Sequence, residues 1–149
     1  MTVKGSTKPL GDRITPGYSM DEETREICLA YVEKALRLAE KRYVEHIGTS
    51  LEPMYDSIHN QLIYLHRVVT GEEKDIYRID TFTMGIYAIR EFEDSDPLFA
   101  DRIHSASYIA HQIRLSKKKI YLPDDPEKNP DYWTQQAALK AEFPEEYDL

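Results

Sequence analysis

The chain has one cysteine, one tryptophan and six glycines among its 149 residues. No apolar run approaches the roughly 18 residues of a membrane span. Cys28, alone, forms no internal disulfide, and a reducing cytoplasm is the expected compartment. The opening stretch MTVKGSTKPLGDR lacks an apolar segment of signal-peptide length, so secretion by that route is not expected. Basic residues are in deficit: 19 Lys and Arg stand against 27 Asp and Glu, a formal charge of -8. Such a surface repels phosphate and speaks against a nucleic-acid partner. The length suits one domain. A chain of this size buries roughly 70% of its unfolded surface and needs no disulfide or metal to fold.

The acidic excess is concentrated at one end. From Ile120 to Leu149 eight carboxylates face two lysines, a local charge of -6, and a basic step of Arg114, Lys117, Lys118 and Lys119 precedes them. Cations complementing a helix C-terminus before a solvated tail would explain the pattern, and so would a charge-coded binding surface.

Hydrophobic periodicity predicts an all-α fold, an antiparallel bundle of four main helices. Residues 1–18, with Gly5, Gly11, Gly17, Pro9 and Pro16, read as a flexible arm. Ser19 and Glu22 have capping-box spacing and open a first helix over about 21–46. Its stripe is Cys28, Tyr31, Val32, Ala35, Leu38 and Ala39. Pro53 starts a second helix, about 50–70, with Met54, Ile58, Leu62, Leu65 and Val69 on one face and Gly71 beyond its end. A third helix is expected over 73–92, its buried face containing Ile76, Ile79, Phe82, Ile86, Ile89 and Phe92. Gly85 within it suggests a close helix–helix contact, and its β-branched residues leave a strand as the competing assignment. Asp96-Pro97 opens a fourth helix, about 96–117, with Phe99, Ile103, Ala106, Ala110 and Ile113 as its seam. The domain therefore runs over 19–119. A C-terminal extension, 120–149, begins with a Pro- and Asp-rich linker. It contains a short fifth helix opened by Asn129-Pro130 and ended before Pro144. Its aromatic residues Tyr121, Tyr132, Trp133, Phe143 and Tyr147 are expected to pack back on the bundle, with a partner contact as the alternative.

Little here assembles into a reaction centre. His59 and His66, like His104 and His111, are seven residues apart. Each pair shares a face but is separated by roughly 10 Å, too far to chelate one ion. No metal or cofactor is therefore expected, although the four histidines together would be the ligands of a helical-bundle metal enzyme. Cys28 lies on an apolar stripe, where a thiol is inert. Arg42 and His46 have a spacing seen in helical ribonucleases, but acidity opposes RNA. The acid cluster Glu91, Glu93, Asp94 and Asp96 exceeds what capping the fourth helix requires. It reads either as a cap alone or as a cap together with a contact surface for a basic partner.

The stretch TFTMGIYAIREFEDSDPLFADRIHSASYIAHQIR, Thr81 to Arg114, resembles the second half of a known family. Gly85, Ala88, Glu91-Phe92, Asp94, Asp96-Pro97 and Tyr108 fit its pattern. Gln61-Leu62 and Tyr64 fit its preceding helix, and YVEKALRLAEKRY, Tyr31 to Tyr43, fits its first. The family is that of the immunity proteins neutralising NAD(P)-glycohydrolase effectors of the Pseudomonas-type type VI secretion system. The likeness covers about 27–118. It implies a non-enzymatic, all-helical antitoxin that occludes a co-encoded toxin. Glu91, Glu93, Asp94 and Asp96 become candidate toxin contacts, with Gln61 and Tyr64 a second group. An acidic adaptor remains the other alternative, and the oligomeric state stays open.

Overall fold

The computed structural model describes residues 19–149. The arm expected over 1–18 lies outside the described residues. Those described form an all-helical fold with five α-helices and no strand. Helix α1 spans Glu22–Glu45, α2 Glu52–Thr70, α3 Met84–Tyr87, α4 Pro97–Arg114 and α5 Tyr132–Glu142.

Local chemistry sets most boundaries. Asp21, not Ser19, caps α1: its carboxylate accepts the Thr24 N–H at 2.8 Å. A carboxylate satisfies the orphan donor and also complements the positive end of the helix dipole. Gly48 and Gly71 take positive φ angles of 86° and 88° at the turns after α1 and α2, a conformation that costs other L-residues a Cβ clash. Pro53 sits in the first turn of α2, where its missing N–H loses nothing. The hairpin closes with Arg25, near the start of α1, donating to the Val69 carbonyl near the end of α2.

Helices α1, α2 and α4 enclose the core. Cys28, Val32, Ala35, Leu38 and Ala39 of α1 are buried with Ile58, Leu62, Leu65 and Val69 of α2. Phe99, Ile103, Ala106, Ala110 and Ile113 of α4 are buried as the seam required. Tyr55, Phe92 and Phe99 form an aromatic cluster with ring centroids 5.0–6.0 Å apart, and His46 stacks on Tyr55 at 4.1 Å.

The expected third helix is the main correction. Over 73–92 the chain makes a 3-10 turn, Tyr77–Thr81, then the four-residue α3, which widens into a π turn over Ala88–Phe92. The i to i+5 bond from Glu93 N–H to the Ala88 carbonyl closes that turn. Two causes break the helix. Glu73 and Asp75 side chains take the N–H groups of Asp75 and Tyr77, offering the backbone a local alternative. Gln61, reaching from α2, takes the N–H groups of Thr83 and Met84 and fixes a new helix start there. Restarting at Met84 rotates the buried face to Met84, Ala88 and Phe92, and leaves Ile86 and Ile89 exposed. Gly85 approaches Ser107 of α4, but an added Cβ would lie 3.5 Å from its Oγ, ordinary contact rather than a clash.

Helix α4 ends at Arg114, earlier than expected, where Ser116 turns left-handed with φ 53°. The extension then returns over the helical core. Buried Gln112 holds Tyr121 by both backbone groups, accepting its N–H at 2.7 Å and donating to its carbonyl at 2.8 Å. Helix α5 starts two residues beyond Pro130 and inserts Gln136 and Leu139. Phe143, Tyr147 and Leu149 pack against the core. Trp133 departs from this pattern and remains 64% exposed.

Candidate interaction surface

The acidic residues expected at one site divide by role. Glu91, Glu93 and Asp94 are exposed on the π turn and the loop before α4. Glu93 faces His104 at 3.2 Å. Asp96 is turned inward. It accepts the Phe99 N–H at 3.4 Å as the α4 cap, and binds Arg42 of α1 at 2.7 Å.

Arg42, only 7% exposed, is a hub. Its guanidinium also meets both Glu146 oxygens at 2.7 Å and Glu45 at 3.3 Å. Hydrogen bonds donated by Arg42 hold the Glu146 carboxyl down at about 2, against burial, and the same bonds, accepted by Glu146 and Asp96, raise the Arg42 pKa. The ion cluster thus fastens the acidic turn and the C-terminal extension to α1. Its guanidinium is fully committed, and the backbone carbonyl of Arg42 meets the His46 ring at 2.7 Å, so the ribonuclease spacing of Arg42 and His46 reflects packing.

Gln61 and Tyr64 face the same irregular segment from beneath. Gln61 uses its whole amide: Oε1 accepts from Thr83 and Met84, and Nε2 donates to the Ser57 and Thr83 hydroxyls, all at 2.9–3.0 Å. Tyr64 is 4% exposed, edge-on to Phe82, with the Arg78 guanidinium 4.8 Å over its ring. Burial pushes its phenol up to about 12. These two residues position the 77–92 segment, while Glu91, Glu93 and Asp94 present charge from it.

Beside that charge lies a groove of about 440 Å³ between α3 with its π turn and α4, lined by Ile79, Phe82, Ile86, Ile89, Ser107 and His111 among others. Ile86 is 53% and Ile89 59% exposed. Helical spacing predicts both in the core. The +4 rhythm of Met84, Ala88 and Phe92 is the alternative phase that would have released them. Asp80 closes one end of the groove through a 2.9 Å pair with Arg114, whose guanidinium sits 4.6 Å over Tyr77.

The histidines are dispersed. His46 stacks on Tyr55, His59 is parallel to Tyr43 at 5.9 Å, His66 meets Glu33 at 3.1 Å and His111 is exposed. Among the described residues no group of three or more His, Cys, Asp or Glu side chains is placed to hold a metal ion. Burial raises the Cys28 thiol to about 11, so its nucleophilic thiolate is scarce. No described helix is long and apolar enough to cross a membrane.

An acidic turn beside an exposed apolar groove on a helical scaffold has the composition common to protein-binding surfaces. The Tsi6 family model matches residues 28–112, from α1 to the last turn of α4. The chain belongs to the Tsi6 family, the type VI secretion immunity proteins for an NAD(P)-glycohydrolase effector. No curated protein and no solved structure matches the chain.

Proposed function

We propose that the protein is an antitoxin that binds a co-encoded toxin domain, of the NAD(P)-degrading class, and covers its active site within the cytoplasm of the producing cell and its siblings. It acts as a stoichiometric inhibitor rather than an enzyme. The family match, spanning more than half of the chain, carries this reading. The exposed carboxylates Glu91, Glu93 and Asp94 supply the contact charge, which steers encounter with a basic partner. Asp96, Gln61 and Tyr64 act by holding that turn in place. Residues 19–119 form the binding module, and 120–149 buttress it.

The test is rescue. Cells expressing the toxin encoded beside this gene should survive when the unaltered protein is co-expressed, and the purified pair should form a one-to-one complex without toxin turnover. Reversing Glu91 and Glu93 together to Lys should slow association and weaken protection while the melting temperature stays within a few degrees. Failure of the unaltered protein to rescue overturns the reading.

A further inference from the structure

We propose that Ile86 and Ile89 are the apolar anchor of the toxin-binding face, and that the groove beside them receives a large apolar or aromatic side chain of the toxin flanked by Lys or Arg. This rests on the immunity reading and adds to it the centre of the contact and the chemistry of what fills it.

The exposure of these two residues has no use inside the fold. Met84, Ala88 and Phe92 already pack this segment, each 3% exposed or less. Ile86 of α3 and Ile89 of the π turn that continues it stand on successive turns, each more than half exposed, and both line the groove against α4. Isolated surface isoleucines are ordinary, whereas an adjacent pair bordering a concave apolar surface has the form of an interface core.

The pair is also held rigid. Gln61 fixes the start of the segment through two backbone N–H groups, and the Asp96–Arg42 bond fixes the chain just beyond its end. A patch presented this way loses little conformational entropy when a partner seats on it.

Charge selects the occupant. Glu93 reaches the groove through His104, one of its lining residues, and exposed Glu91 and Asp94 follow the isoleucines along the chain with Arg90 as the one cation on that stretch, while the lining cation Arg114 is paired with Asp80. The rim is therefore acidic, and its complement is an apolar group ringed by cations. A second copy of this chain fits poorly, because a two-fold interface would set the acidic turn of one copy against that of the other. Trp133, an exposed large aromatic, lies outside the family match at 28–112.

The two parts of the face should differ in kinetics. Rim charge acts during approach, and the desolvated anchor acts on residence time. Association and dissociation rates of the purified toxin domain would be measured with the unaltered protein, Ile86→Asp/Ile89→Asp, Ile86→Ala/Ile89→Ala, and Glu91→Lys/Glu93→Lys. The Asp pair should raise the dissociation rate on the order of 100-fold or more, and the Ala pair about 10-fold, with association changed less than about threefold. The Glu-to-Lys pair should show the opposite split. Circular dichroism and melting curves identify any misfolded variant, and the milder Ala pair carries the test if the Asp pair fails to fold. If the unaltered protein binds and both isoleucine variants dissociate at its rate, the anchor is refuted while the immunity reading stands. If the unaltered protein self-associates, and the isoleucine variants abolish this with toxin binding intact, the patch is a self-interface and the proposal is overturned. If the unaltered protein neither binds nor protects, the immunity reading itself fails.

Discussion

Replacing Gln61 with alanine isolates the contact that starts α3. The amide oxygen accepts from Thr83 N–H and Met84 N–H, both at 2.9 Å. Thr83 is exposed, so water can take over its N–H at little net cost. Met84 has a fully buried side chain, and its N–H is reached less readily. Leaving that donor unpaired costs about 1–2 kcal/mol. Loss of the half-buried side-chain methylenes adds roughly 0.5 kcal/mol, giving a total near 2 kcal/mol. For a domain between the small and medium size classes this is a fall of about 6–10 °C in melting temperature. Amide exchange locates the effect: protection at 84–92 should fall before that of α1 or α2. Gln61→Glu is the control. Its carboxylate still accepts both N–H groups, so it should stay within about 1 kcal/mol of the parent at neutral pH. That pairing lowers its folded pKa, so its contribution holds above the unfolded value of about 4.3 and fades as pH falls below it. A Gln61→Ala protein with unchanged melting temperature and exchange would refute the role given to this side chain. So would a Gln61→Glu protein as unstable as the alanine variant, because acceptance would then not be what matters.

The Glu146 carboxyl is lowered from 4.5 to about 2 by Arg42 and Lys41. Its stabilisation is therefore fully present above about pH 4.5 and is lost as pH falls toward 2. Discounted for its position at the rim of the cluster, it amounts to about 1–2 kcal/mol, and Glu146→Gln should remove that part of the acid dependence in a denaturant series. Deleting the chain from Leu122 onward withdraws Glu146 from Arg42, and Gln136 and the Tyr147 carbonyl from Arg102. Both guanidiniums are buried, so the melting temperature should drop by about 10 °C or more; an unchanged value would show that the extension contributes no packing. Gly85→Ala meets only the ordinary 3.5 Å contact with Ser107. It should leave stability equal or raise it by up to about 1 kcal/mol, read by chemical denaturation, and a clear loss would show a tighter α3–α4 approach.

What could be read directly from the sequence was governed by neighbouring residues. The α4 start needs only Asp96 and Pro97, and the end of α2 only Gly71, so both fall close to their expected places. For the cap of α1, Ser19 and Asp21 both offer an oxygen at workable spacing, and only the folded chain shows that Asp21 meets an N–H. The 73–92 error has a different origin. Ile76, Ile79, Ile86 and Ile89 satisfy a helical period, and nothing within that window announces that Gln61, 22 positions before Thr83, supplies the cap. The Arg42 cluster joins partners 54 and 104 positions away, so Arg42 reads as a surface residue until the chain is folded.

The same distinction separates presentation from contact at the candidate site. Glu91, Glu93 and Asp94 are recognisable from composition, because three carboxylates beyond the capping requirement remain exposed. The isoleucines are not, because their exposure depends on the phase at which the helix restarts. Gln61, Tyr64, Asp96 and Arg42 together determine that phase and the placement of the turn that follows. On the proposed reading, their replacement would weaken partner binding by loosening the segment rather than by removing contact surface. The discriminating observable is the fraction of competent protein. A loosened segment reduces apparent affinity by the fraction of molecules in which it is ordered, so the defect should shrink as temperature is lowered toward maximum stability. Loss of a proposed contact group such as Ile89 should instead persist when the segment is fully ordered, since the missing surface cannot be restored by refolding it.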